Sequence, residues 1–205
     1  THETIAAHYF IPKKYRGTVI LLHGYQDHTG MLKYLIHNLV DNNYAVGAYD
    51  MQGYGISSGD RTSITDFSQY VAVLTDFVNL TKTNFHGPYH LIGFSMGGSI
   101  VIEYMFSSGM PNIVIDKTIF VSPLIRSSGW HMTKLGYVLL NPFIKSIPRT
   151  LRLDSTNKTF IEFRKHDPLE FNRITLDWVN AMIQWSNRVE TFPVSQKEVL
   201  IIQGT

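Results

Sequence analysis

Short, continuously apolar runs alternate along this chain with longer segments of helical period. That alternation restricts the fold more than any other feature. Thr18-Val19-Ile20-Leu21-Leu22, bounded by Gly17 and Gly24, reads as a strand. A run with no polar alternation has no solvent face, so this strand is buried on both sides. Met31 to Val40 follows, with Leu32, Leu35, Ile36, Leu39 and Val40 at helix spacing. Tyr44 to Tyr49 is the next strand. Ser63 to Lys82 is the clearest helix, with Phe67, Tyr70, Val71, Leu74, Phe77 and Val78 on one stripe. Ser63 and Asp66 resemble a capping box at its start. A strand then runs into Phe94, a helix follows Ser95, and Lys117 to Val121 is a further strand. Strands alternating with helices imply parallel pairing and right-handed crossovers, an α/β architecture.

The pattern changes after Pro123. Gly129-Trp130, Asn141-Pro142, Ile147-Pro148 and Asp167-Pro168 interrupt any regular alternation. Asp177 to Arg188 reads as a helix, with Trp178, Met182, Trp185 and Val189 stacked on one side. Glu198-Val199-Leu200-Ile201-Ile202 then returns to the buried-strand pattern. The simplest division is an α/β core over residues 1–123, a mostly helical insertion over 124–196, and a core strand within 197–205.

With 205 residues, 44% hydrophobic and 17% charged, the chain can bury a large core. A formal net charge of +2 argues against nucleic-acid binding as the main role, which needs a concentrated basic face. There are no cysteines, so disulfides and thiolate metal sites are excluded. Nine histidines occur, but none shows the paired spacing of a metal site. No apolar run approaches the ~18 residues of a membrane span. A soluble, cytoplasmic setting is the working expectation, with peripheral membrane contact and oligomeric state left open.

The sequence Gly93-Phe94-Ser95-Met96-Gly97 carries the chemistry. A serine on a sharp strand-to-helix turn is exposed for attack, and the turn needs small residues where strand and helix approach. Gly93 and Gly97 meet that need, and Gly98 adds room. The helix N-terminus beyond favours negative charge beside Ser95 Oγ. A second turn, His23-Gly24, lies at the carboxyl end of the first buried strand.

The segments VILLHGYQDHTG, YDMQGYGISSGDR, HLIGFSMGGSI and FVSPLI together resemble the monoacylglycerol lipase, lysophospholipase and serine-aminopeptidase-like group of α/β-hydrolases. The chain departs mildly at Gln52, where the group often carries arginine or histidine. The resemblance implies an α/β-hydrolase fold with a helical lid insertion. It implies Ser95 as nucleophile, and Tyr25 and Met96 as backbone donors of the oxyanion hole. His23, Gly24, Gly93 and Gly97 then support the site turns, with His23 bracing its turn rather than acting as base. No cofactor and no metal are implied. Trp130, Trp178, Trp185, Phe143, Phe160, Phe163 and Phe171 enrich the insertion in aromatics, which are expected mainly to pack it onto the core, some of them lining an acyl channel.

A nucleophilic serine needs a base and an acid that orients it, in the order serine, acid, histidine. His131, His166, Asp154, Asp167 and Asp177 lie in the insertion. His166-Asp167-Pro168 reads better as a helix-entry turn. Asp27 and Asp50 are expected to brace loops, and His28 and His90 to lie at the surface or a strand edge. By the resemblance, the acid and histidine are expected beyond Thr205, so the carboxyl-terminal part of the fold is expected to be missing here. The expected activity is hydrolysis of lipid-like carboxylic esters, monoacylglycerols or lysophospholipids, through an acyl-enzyme on Ser95. Rival readings are a peptidase or thioesterase on the same scaffold, and a non-catalytic hydrolase-like binding protein.

Overall fold

The computed structural model describes residues 3–107, 114–149 and 155–204. Six strands form one sheet in the order β1-β3-β2-β4-β5-β8. They are β1 (Ala7–Phe10), β2 (Thr18–Leu22), β3 (Ala45–Tyr49), β4 (Tyr89–Phe94), β5 (Lys117–Val121) and β8 (Leu200–Ile202). Only the β1–β3 pair is antiparallel. Helices α1 (Lys33–Asp41), α2 (Ser68–Asn84) and α3 (Met96–Phe106) connect the parallel strands. Between β5 and β8 lie α4 (Trp130–Leu140), α5 (Lys158–Lys165), α6 (Leu176–Val189) and a small antiparallel pair, β6 (Ser146–Pro148) with β7 (Arg173–Thr175).

Burial follows from the apolar runs. All five residues of β2 and all five of β3 are buried, as strands covered on both faces must be. One face packs against α2, α3 and α6 around Ile20, Leu22, Leu74, Leu91, Ile100 and Trp185. The other packs against α1 through Val19, Leu21, Ile36, Val46 and Ile92. Each fully buried Leu, Ile or Val contributes about 1.5–3 kcal/mol.

Two expectations need correction, and one strand is added. Helix α2 begins at Ser68, five residues beyond Ser63. The Ser63 N–H bonds the Asp60 carbonyl, and the Asp66 carboxylate instead accepts the Ser68 N–H at 2.7 Å. The preceding turn takes the Ser63 N–H, and Asp66 alone caps the helix, through the N–H of its first residue. β8 pairs with β5 as a core strand would, but its side chains are 51–58% exposed, not buried. Among the described residues it is bonded along one edge only, at the end of the sheet. β1, which the sequence reading left unassigned, is a four-residue edge strand of mixed exposure, too short to show a period.

Candidate active site

Ser95 stands at the junction of β4 and α3, with φ 51° and ψ −116°. A non-glycine residue at positive φ is strained and persists only where its surroundings hold it. Here the Ser95 N–H donates to the Val121 carbonyl at 2.9 Å, and the Ser95 carbonyl accepts from Gly98, Ser99 and Leu124 N–H groups. The flanking glycines are compulsory for steric reasons. A Cβ on Gly93 would lie 2.7 Å from Gly98 Cα, and one on Gly97 would lie 2.6 Å from the His23 carbonyl oxygen.

The second contact places the β2 turn against the elbow. β2 and β4 are neighbours in the sheet, with Leu22 opposite Gly93. A Cβ built on Gly24 would approach Ser95 Cβ to 3.3 Å. The two turns that sequence reasoning singled out thus meet at Ser95. Among the described residues, neither the Tyr25 N–H nor the Met96 N–H has an acceptor. Ser95 itself is partly exposed, and Met96 is fully buried.

His23 lies entirely inside the protein. Its Nε2 accepts the Met51 N–H at 2.9 Å, which requires the neutral ring with the proton on Nδ1, donated to the Gly24 carbonyl at 2.8 Å. Burial lowers its pKa from 6.5 to about 4, against opposing contributions from the Gly24 carbonyl and Asp50. His23 braces the turn and is not placed to take a proton from Ser95. Asp50 is buried, accepting N–H bonds from Thr29 at 2.8 Å and Ile56 at 3.0 Å. Burial pushes its pKa up, but these bonds outweigh it and the net shift is downward.

The His23 shift has a consequence for stability. Above pH 6.5 both folded and unfolded forms are neutral at this ring. As pH falls from 6.5 towards 4, only the unfolded form gains the proton, so about 3 kcal/mol of stability is lost across that window. Burial raises Asp27 to about 6 despite Arg164 and Arg149. The folded form therefore takes up that proton first, and Asp27 contributes the opposite slope between about 3.8 and 6. Denaturant unfolding of the parent and His23→Gln proteins at pH 7 and pH 4.5 separates the two. The acid loss specific to His23 should vanish in the variant, and an unchanged pH slope would refute it.

Two histidine expectations are overturned. His28 is buried, with its Nδ1 accepting the Gly30 N–H and its Nε2 paired with Asp167 Oδ2 at 2.8 Å. His90 lies on central strand β4, half-buried. Asp167-Pro168 does not open a helix. Asp167 follows α5 and caps a turn, its Oδ1 accepting the Leu169 N–H at 2.9 Å. Asp154 lies outside the described residues. His131 and His166 are exposed, as is Asp177. Among the described residues no side chain hydrogen-bonds Ser95 Oγ, and no group of histidines and carboxylates could hold a metal.

The segment between β5 and β8 grips the Tyr25 turn through contacts that no local pattern announces. Gln26, at φ 60°, donates to the Arg173 carbonyl at 2.6 Å and accepts from Arg149. Arg164 pairs with Glu170 at 2.6 Å and approaches Asp27 at 3.7 Å. Trp178 stacks on Tyr25 with centroids 3.8 Å apart. Trp130, Trp178 and Trp185 are buried, Phe160 and Phe171 are partly buried, and Phe143 and Phe163 are exposed.

The chain is similar to a monoglyceride lipase homolog of monkeypox virus, 27% identical over 212 residues, covering 100% of this chain and 76% of the viral protein. It is also similar to human monoglyceride lipase, 27% identical over 161 residues, covering 75% of this chain and 52% of the human protein. The crystal structure of the monoacylglycerol lipase of Paleococcus ferrophilus superposes with a TM-score of 0.78 at 25% identity, covering 98% of this chain and 77% of the archaeal one. Residues 13–205 match the family described as serine aminopeptidase, S33. The chain therefore belongs to the serine aminopeptidase S33 family and has the α/β-hydrolase fold.

Proposed function

We propose that this protein hydrolyses carboxylic esters of lipid-like substrates through an acyl-enzyme on Ser95. The observation that carries the reading is the meeting of two turns at one serine. Ser95, held at positive φ, precedes Met96 and lies against the Gly24 end of the turn that carries Tyr25, and among the described residues neither the Tyr25 nor the Met96 N–H has an acceptor. In the reaction Ser95 Oγ attacks the ester carbonyl, and the two N–H groups stabilise the charge that develops on its oxygen. The alcohol leaves, and water then releases the acid from the serine. Each donor of this kind is worth about 2.7–4 kcal/mol of transition-state stabilisation. The base that takes the Ser95 proton is not among the described residues within hydrogen-bonding reach.

Two further observations favour a lipid-like substrate. The similar proteins named above are monoglyceride and monoacylglycerol lipases. Helix α4, in the stretch that we read as a lid, exposes Met132, Leu135, Val138 and Leu139 at 50–69%, followed by Phe143 at 83%. A contiguous exposed apolar face of this kind fits contact with a lipid surface. Among the described residues no helix is long and apolar enough to cross a membrane. The family description keeps amide cleavage as the second reading.

A substrate panel run on the full-length protein separates these readings. It sets p-nitrophenyl esters of increasing acyl length and vesicle-borne monoacylglycerol against aminoacyl amides and acyl thioesters. Esters should be turned over at least about tenfold faster than the amides and thioesters, a transition-state difference of about 1.4 kcal/mol or more. Serine substitution of Met132, Leu135 and Leu139 together should slow turnover of the vesicle-borne substrate and spare the short soluble ester. Preferential cleavage of aminoacyl amides would overturn the ester reading in favour of a peptidase.

A further inference from the structure

We propose that Trp178, on α6, is a positioning residue that aligns both oxyanion donors of the Ser95 site by gripping their side chains. This rests on the reading of Ser95 as nucleophile and of the Tyr25 and Met96 N–H groups as donors. One side chain touches both donor residues. The Trp178 ring lies against the Tyr25 ring, with centroids 3.8 Å apart and planes inclined by 32°. Its Nε1–H donates to Met96 Sδ at 3.3 Å. Trp178 is 8% exposed and Met96 0% exposed, so both contacts are made out of water.

The partner of the indole is unusual. Indole N–H is a donor only, and a thioether is a weak acceptor. Of the insertion's other two tryptophans, Trp130 buries its Nε1–H without an acceptor among the described residues, and Trp185 turns its Nε1–H towards Glu103 of α3. Of the three, Trp178 alone directs its polar atom at a residue of the site. Methionine is a flexible side chain with three rotatable bonds. Met96 is nevertheless held from a second direction, because the Tyr54 O–H also points at its sulfur, at 3.9 Å. Tyr54 in turn meets the Tyr25 ring edge-on at 5.9 Å. Tyr25, Trp178, Tyr54 and Met96 therefore close a ring of contacts beneath the two N–H groups.

The support must also be rigid, and α6 is anchored to α3, the helix that starts at the elbow. Arg188 at its far end bonds Glu103 of α3 at 2.7 Å and Asp66 ahead of α2 at 3.4 Å. Helix α3 begins at Met96. An oxyanion donor acts only when it sits 2.7–3.1 Å from the developing charge, and a displacement of about 1 Å can cost about 10²-fold. Holding the side chains of the Tyr25 turn and of Met96 in one contact fixes their relative position. Trp178 touches no reacting atom in this account and acts through its neighbours.

The test uses the full-length protein and the variants Trp178→Leu and Trp178→Phe. Active sites are titrated with a fluorophosphonate, so that kcat is counted per reactive serine. kcat and KM are measured on a short p-nitrophenyl ester, together with affinity for an alkyl boronic acid, whose tetrahedral adduct places an oxygen at the two donors. In Trp178→Leu, kcat per titrated site should fall about 10–100-fold and boronate affinity by a similar factor, with KM within about threefold of the parent. Trp178→Phe, which keeps a ring on Tyr25 but loses the N–H, should fall less, by about 3–10-fold, and carries the test should the leucine variant not fold. The proposal is overturned if both quantities stay within about twofold of the parent while only the melting temperature drops, which is the signature of packing alone. Raised KM at constant kcat overturns it too, since that marks a substrate contact. Unchanged turnover in Ser95→Ala would refute the nucleophile reading instead, and this proposal with it.

Discussion

Ester turnover by Ser95→Ala is expected to fall by about 10⁴–10⁶-fold in the full-length protein, leaving only what binding and the oxyanion donors supply. Stability should hardly change. The Ser95 side chain makes no hydrogen bond among the described residues, and the backbone bonds that hold the elbow are N–H and C=O bonds that alanine keeps. The strained φ of 51° is as demanding for alanine as for serine. Labelling with a fluorophosphonate should disappear in parallel. Retention of full turnover by a folded Ser95→Ala protein would refute the assignment of the nucleophile.

The elbow was legible because its sequence and its geometry are two statements of one constraint. Only glycine fits at positions 93 and 97, where an added Cβ would lie within 2.7 Å of backbone atoms. Strands β2 and β3 were legible for a related reason, since continuous apolarity is what a strand covered on both faces requires. The start of α2 was not. Ser63 and Asp66 have the spacing of a capping box, and nothing in that spacing says that a turn will claim Ser63 and leave Asp66 to cap the helix. His28 was misjudged because its partner, Asp167, is 139 residues away. A polar residue looks exposed in sequence until the group that satisfies it is known. The grip of Gln26, Asp27 and Tyr25 on Arg173, Arg164 and Trp178 was hidden in the same way. Those contacts span two stretches that share no local pattern.

The largest stability effect is expected at Trp185. It is the largest fully buried side chain, 0% exposed, and its ring stacks on Phe67 at 5.3 Å. Through it α6 packs against the start of α2. Trp185→Ala removes that contact and leaves a cavity that the surrounding helices cannot all collapse into. The cost should be about 3–5 kcal/mol, a large share of the roughly 5–15 kcal/mol available to a typical domain. Trp185→Phe, which keeps a ring against Phe67 and fills most of the same volume, should recover much of the loss. Denaturant midpoints for the three proteins decide the matter. A midpoint for Trp185→Ala within about 1 kcal/mol of the parent would show that the site repacks.

The register of Leu22 opposite Gly93 has a wider meaning. It places the Tyr25 turn and the Ser95 elbow at the ends of adjacent parallel strands, so their separation is that of one sheet spacing, about 4.8 Å. That length is a property of peptide hydrogen bonds and is the same in every sheet. The sheet backbone sets the coarse spacing of the two turns, and side-chain contacts such as those of Trp178 refine it. Core residues away from the two turns can therefore be exchanged without altering that spacing, and the fold persists in a solved structure only 25% identical to this chain.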